Sequence, residues 1–471
     1  MMIHFIWLNV FLYFIVTNSL TRVSSWDEVD FALGVVQFDL LNMQPHFPGY
    51  PYFILGGMLL KFIVKDPVQA LVYFNILLYI TSFYPIYQLA KIITKHHALL
   101  VTSFVMTLPY VAVITVQPMS EGAALSVLWW FIWSLYKANQ SKRTWLKILP
   151  AFLFSILLGI RLSYLPFGIG LVWFWIEEWK KERQLTKIMI HLIVAILFQW
   201  IWVLGLIIAE GSFQSFISLS LSFVEGHFSN WGGAISSGQN NSLINRLITL
   251  ISYNLFWTGI AGRSLFLLVV FLVFLAFSAV LLLKEKREKI DILIVCCLLF
   301  YFLWALLAQN IEKPRHILPL ASITVLWMFA KVLKKVKNPF SILVITILLF
   351  TQSYISIQLV KKQSEEIPAV HQLIYYLNNQ KEPFIVYTWE ETRVMQYERV
   401  PFQHKRILTY SLFLQDVSYY ENETVYLTNH VVEGFKKQGF DISNRIEKVV
   451  SFSSSEMFQP VYHEITLYKW K

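Results

Sequence analysis

Three acids fall within four residues at Asp27, Glu28 and Asp30, just past a first apolar run. A carboxylate at a membrane boundary can take a proton from an acceptor hydroxyl or amine, which makes Asp27 a candidate acid/base residue. The same acids also suit the first turn of a helix capped by Ser24, Ser25 or Asp27, because the helix macrodipole favours negative charge there. Residues 44–51 then place three prolines and a glycine in eight positions, a stiff turn that holds His46 and Tyr50 over a site or anchors them to lipid headgroups. Glu121 follows Gln117-Pro118-Met119-Ser120, and Arg161 lies between two apolar runs with no acidic neighbour in sequence. Ionisable groups at that depth are costly. Glu121 and Arg161 therefore either pair with each other, or Arg161 is a fixed cation on a phosphate. The last cluster, Glu312-Lys313-Pro314-Arg315-His316-Ile317-Leu318-Pro319, sets Lys313, Arg315 and His316 beside a proline kink, where they bind a phosphate or snorkel to headgroups.

The elements that must carry these groups are membrane helices. Hydrophobic residues make up 56% of the chain and charged ones 14%, a mixture that excludes an ordinary soluble enzyme. Apolar runs of about 18 to 22 residues match a hydrocarbon core of ~30 Å at ~1.5 Å per residue. About eleven such runs are expected as spans, at 3–21, 68–90, 98–116, 121–137, 147–160, 164–178, 188–208, 264–283, 291–309, 316–333 and 340–359. The fifth and sixth are short and flank Arg161, so a hairpin that stops part-way is the alternative there. The first run lacks a basic n-region and a cleavage site, which favours an uncleaved span over a signal peptide.

The net charge of +10 does not point to nucleic acid, because the Lys and Arg residues sit in clusters between apolar runs. With the N-terminus in the cytoplasm, the inner loops receive the clusters around Lys91, Lys142, Lys180, Lys286 and Lys334, and the outer connections receive fewer basic residues. Two outer loops are long. Residues 21–67 include an apolar stretch at 51–64 suited to an interfacial helix, and residues 209–262 include a Gly/Ser/Asn-rich stretch at 230–242. The only cysteines, Cys296 and Cys297, are adjacent inside an apolar run and carry no message about redox compartment.

The chain divides into a membrane domain, 1–360, and a soluble extracytoplasmic α/β domain, 361–471. In the latter, strands are expected at 384–388, 406–409, 424–427, 446–452 and 464–468, and a helix at 431–438. No fixed-period repeat occurs, which counts against solenoids and weakly against inverted-repeat transporters.

The acidic Asp27-Glu28 pair after a first span, the proline-rich turn, the Pro314-Arg315-His316-Ile317-Leu318-Pro319 segment and an outer C-terminal domain together resemble the GT-C glycosyltransferases. In style the chain is similar to bacterial members of the protein O-mannosyltransferase and aminoarabinose transferase superfamily. The resemblance covers roughly residues 1–335 by topology and implies a polytopic, largely α-helical GT-C-like fold, a polyprenyl-phosphate sugar donor and membrane lipids as surroundings. It implies that Asp27 is the catalytic acid/base residue, supported by Glu28 or Asp30, and that Arg315 and Arg161 contact donor phosphate. His46, Tyr50, Glu121 and His316 join them as substrate-binding candidates. The chain lacks the run of metal-ligand motifs found in well-characterised members, so no cofactor is assigned and a divalent metal is not indicated. The acceptor, a protein, another lipid or a cell-wall polymer, is left open. A transporter or lipid flippase, and a silent scaffold with a partner-binding outer domain, are the competing classes. Transporters usually set their charges near the midplane, whereas most of these sit at the outer boundary.

Overall fold

The computed structural model describes residues 2–230, 232–237, 242–284 and 287–471, so Lys286 of the inner-loop clusters and parts of the 230–242 stretch lie outside the described residues. The chain forms two compact units. One comprises residues 1–21 and 31–364, the other residues 22–30 and 365–471.

The first unit is helical. Every apolar run expected as a span falls on a helix or on consecutive helical segments. Among the described residues, five helices are long and apolar enough to cross a membrane: Pro67–Thr94, Leu185–Glu210, Lys289–Ala308, the segment Pro314–Lys335 and the helix that begins at Pro339. The number is seven if each of two bent pairs is one span. About eleven spans is thus a finer count than length and composition support here. The run at 98–116 is divided into Ala98–Met106 and Pro109–Thr115 with a 58° bend, since Pro109 cannot donate a helical hydrogen bond. The run at 164–178 opens as the 3₁₀ turn Leu162–Gly168, which leaves 14 residues for Ile169–Glu182. The apolar stretch at 51–64 forms the helix Pro51–Lys61, and Phe62 and Ile63 after it are 88% and 80% exposed, as suits a lipid-facing tip.

Basic residues at the loops are matched by acids. Lys147 pairs with Glu178 and Glu182, Lys289 with Glu177, and the buried Lys331 with Asp291 at 2.8 Å. Burial of Asp291 is compatible with charge because Lys331 and the Trp327 indole both hydrogen-bond to it.

The second unit is a five-stranded sheet in the order β2-β1-β3-β5-β4, with β1 Phe384–Thr388, β2 Gln403–Arg406, β3 Thr424–Thr428, β4 Ile446–Ser453 and β5 Glu464–Trp470. The first three are parallel, and β5 runs antiparallel to β3 and β4. Ile385, Tyr387, Phe413, Leu427 and Phe435 form a core on one face. The strand expected at 406–409 lies earlier: pairing of Ile385 to Thr388 with Gln403 to Arg406 sets its register, and Thr409 instead caps the helix Tyr410–Val417. The helix expected at 431–438 is Asn429–Lys437, beginning directly after β3. Residues 22–30 belong to this unit, where a His371 ring nitrogen meets the Val23 carbonyl at 2.7 Å.

Candidate functional site

Pro118 stops the preceding helix and leaves the backbone of residues 117–119 in need of partners. Asn75 of the helix Pro67–Thr94 supplies them. Its amide nitrogen donates to the carbonyls of Gln117 at 2.8 Å and Met119 at 2.9 Å, and its oxygen accepts from the Ala123 N–H at 2.9 Å. The start of the helix Ser120–Gln140 is thereby fixed, and with it Glu121, whose carboxylate at the positive end of the helix is fully buried.

Two arginines meet that carboxylate. Arg161, in extended backbone between the helix Thr144–Ile160 and the 3₁₀ turn Leu162–Gly168, brings Nη2 to 3.0 Å from Glu121 Oε1. Arg315, in the short turn Pro314–Ile317 that precedes the helix Leu318–Lys335, brings Nε to 2.7 Å from the same oxygen. These contacts have ion-pair distance without the angles of aligned hydrogen bonds, so charge and proximity hold them. Arg161 is oriented by two further contacts, from Nη1 to Ser120 Oγ at 2.8 Å and between Nη2 and His316 Nδ1 at 3.2 Å. Tyr301 donates to the His316 carbonyl at 3.0 Å, and its ring stacks on Phe167 and Tyr164.

Of the residues singled out in sequence, Glu121, Arg161, Arg315 and His316 are thus brought together. Tyr50 joins them, because it interacts electrostatically with Arg161. His46 comes with Tyr50: their side chains are 3.1 Å apart and both rings pack on Phe31. Tyr50 sits at φ +44°, a left-handed position that a tyrosine adopts only where its surroundings impose it.

Sequence reading missed Ser120, Asn75, Tyr110, Tyr301 and Arg263. Tyr110 interacts electrostatically with Arg315, Glu121, Arg263 and Tyr253. Arg263 donates to the Tyr253 hydroxyl at 2.8 Å and follows the π-helical segment Thr249–Ile260. The clue available for Arg161, a lone arginine ahead of an apolar run, applied equally to Arg263. Arg246, by contrast, is buried by structure alone: its guanidinium donates to the carbonyls of Leu306, Gly233 and Gln309.

Asp27, Glu28 and Asp30 lie in the second unit. Glu28 is buried and accepts from the Ser24 N–H at 2.5 Å and hydroxyl at 2.9 Å, closing the start of the helix Trp26–Val36. Asp30 is fully buried, with Arg393 Nε at 2.8 Å and the Trp26 indole N–H at 3.1 Å. Arg393 and Arg406 both lie over the Trp26 ring. Asp27 remains part-exposed and interacts electrostatically with Tyr462. Among the described residues, no group of three or more His, Cys, Asp or Glu side chains could hold a metal ion, and no chemical step is routed through one.

Neither a protein-family model nor a curated protein sequence matches this chain. Solved structures do. The chain is similar to ArnT from Cupriavidus metallidurans bound to undecaprenyl phosphate, with a TM-score of 0.57, 11% identity, and 98% of this chain and 97% of that chain covered. It is similar to the mycobacterial arabinofuranosyltransferase AftD with a TM-score of 0.52 and 14% identity, over 98% of this chain and 39% of AftD. It is also similar to an Archaeoglobus fulgidus oligosaccharyltransferase, with a TM-score of 0.51, 10% identity, and 89% and 67% coverage. The chain has the GT-C fold common to these membrane proteins.

Proposed function

We propose that this protein is a membrane glycosyltransferase that moves a sugar from a polyprenyl-phosphate donor to an envelope or cell-surface acceptor at the outer leaflet. The observation that carries the reading is the buried Glu121 carboxylate shared by Arg161 and Arg315, with His316 on Arg161. Two guanidinium groups that converge on one carboxylate oxygen make a cationic cluster, and an anion with several oxygens is a complementary ligand for it. The likeness in fold to a protein crystallised with undecaprenyl phosphate supports a lipid-linked phosphate as that anion.

In this proposal Asp27 removes the proton from the acceptor hydroxyl or amine as the acceptor attacks the anomeric carbon. The new glycosidic bond forms while the bond from that carbon to the phosphate oxygen breaks. The electron pair leaves with the polyprenyl phosphate, whose growing charge Arg161 and Arg315 stabilise. Glu121 holds the two guanidinium groups in place between donors, Tyr50 and His46 border them, and Asp30 and Glu28 set the position of Asp27. The proposal retains a cytoplasmic N-terminus, a membrane part over 1–360 and an extracytoplasmic part over 361–471.

Mass spectrometry of envelope glycans and glycolipids tests it in cells lacking the protein, restored with wild type, and restored with D27N at equal expression. A sugar present with wild type and absent in the other two is the expected result. Unchanged glycans with D27N would remove Asp27 from the chemistry and favour a transporter or flippase.

A further inference from the structure

The strand order β2-β1-β3 places a crossover on each side of β1, so the connections after β1 and β3 leave their strands in opposite directions. In open α/β sheets a crevice forms at that switch, outside the carboxyl ends of the strands, and ligands bind there. The residues following these two strands here are Trp389, Glu390 and Glu391 after β1, and Asn429 and His430 after β3.

Glu391 is 3% exposed and immobilised on both oxygens, one accepting the Trp389 N–H at 2.9 Å and the other lying 2.6 Å from His430 Nδ1. With Nδ1 engaged, ring geometry turns Nε2 away from Glu391, and it has no hydrogen-bond partner among the described residues. The His430 side chain is 15% exposed. Tyr462 packs its ring edgewise on the imidazole at 4.9 Å, hydrogen-bonds through its hydroxyl to Glu390, and interacts with Asp27. A buried acid that orients an open imidazole edge, a second carboxylate and an aromatic ring thus lie together at the carboxyl ends of β1 and β3, where such a crevice is expected, beside the proposed base. Imidazole and carboxylate match the alternating donors and acceptors of a polyol, and the ring matches its apolar C–H face.

We infer that this crevice binds a carbohydrate group of the acceptor, with His430 Nε2 donating to one hydroxyl, Glu390 accepting from another and Tyr462 as the apolar wall. The inference rests on the transferase reading but has its own test. Full-length protein in lipid nanodiscs is mixed with the methyl glycosides of glucose, galactose, mannose, arabinose and N-acetylglucosamine, and binding is read by saturation-transfer NMR. At least one glycoside binds wild type in the millimolar range. In H430N the asparagine amide keeps the contact to Glu391 and deletes the outward nitrogen, so glycoside binding falls about tenfold or more while the circular-dichroism spectrum and the chromatographic profile stay as in wild type. H430N also binds undecaprenyl phosphate as wild type does. Equal glycoside binding by H430N, or none by wild type, overturns the inference. Absence of undecaprenyl phosphate binding by wild type would instead overturn the transferase reading.

Discussion

Replacement of Glu121 by Gln keeps the shape of the side chain and removes its charge, which isolates the electrostatic role of the cluster. At a separation near 3 Å and an effective dielectric of about 20, each arginine contact is worth roughly 5 kcal/mol before desolvation. Most of that offsets the cost of taking three charges out of water. The quantity that survives is the cost of leaving buried charges without their partner, about 3–5 kcal/mol. Glu121 is 1% exposed by side chain, and Arg161 and Arg315 are 9% and 13%, so solvent cannot take over its role. At roughly 1 °C per kcal/mol for a chain of 471 residues, E121Q melts on the order of 3–5 °C below wild type in nanodiscs without donor. Undecaprenyl phosphate supplies the missing negative charge, and at about a hundredfold its Kd a ligand contributes ~2.7 kcal/mol. The gap between E121Q and wild type should therefore narrow when the lipid is added. Equal melting of the two proteins without lipid would refute the charge argument. A gap that stays constant or widens with lipid would refute the anion site.

Three further outcomes can be checked alongside it. N75A leaves the Gln117 and Met119 carbonyls and the Ala123 N–H without their buried partner, at about 1–3 kcal/mol for each group. Lower melting together with weaker undecaprenyl phosphate binding is expected, since the turn that places Glu121 is released. D30N strips the charge from a fully buried acid in ion-pair contact with Arg393, so limited proteolysis should cut the C-terminal unit faster than in wild type. A pH series of melting temperatures reports on the Glu391–His430 pair. Burial opposes the charge on each, yet their mutual hydrogen bond and attraction prevail, raising the His430 pKa above 6.5 and lowering that of Glu391 below 4.5. The histidine contribution is complete below about 6.5 and is lost as pH rises through its raised value. The acid contribution is complete above about 4.5 and is lost as pH falls through its lowered value. Wild type should thus exceed H430N most between those limits, and the excess should shrink as pH rises above 6.5.

Which of these groups were legible in sequence follows from how each earns its place. Arg315 stood out because it stands with Lys313 and His316 beside a proline kink, and Arg161 because a charge inside apolar surroundings is costly and must have a partner or a task. Glu121 stood out for the same reason, and its pairing with Arg161 was one of the two readings considered. Helical runs were legible because bilayer thickness dictates their length, but their breaks at Pro109 and at Leu162–Gly168 depend on local backbone geometry. Asn75 gave no signal. A single asparagine in an apolar helix becomes informative only once the Pro118 turn is known to lie against it. In the C-terminal unit the strand content was readable from β-branched and aromatic runs, yet β2 shifted because its place is set by the register of β1. The Glu391–His430 pair was invisible for a related reason: its members are 39 residues apart and meet only because β1 and β3 are neighbours.

The double contact on Glu121 also bears on which of the two sequence readings of Arg161 holds. Structural pairing and phosphate binding were posed as alternatives, but stoichiometry makes them compatible. Here Glu121 Oε1 lies within ion-pair distance of both Arg161 and Arg315. A cluster selected for stability alone has little reason to retain buried ions, since well-packed apolar groups at such places are often as stable or more so. Two arginines on a shared carboxylate oxygen can engage a second anion during the working cycle, and a departing phosphate brings one at the moment its own charge grows. The sharing of one oxygen, more than the Glu121–Arg161 pair itself, is what favours the phosphate reading.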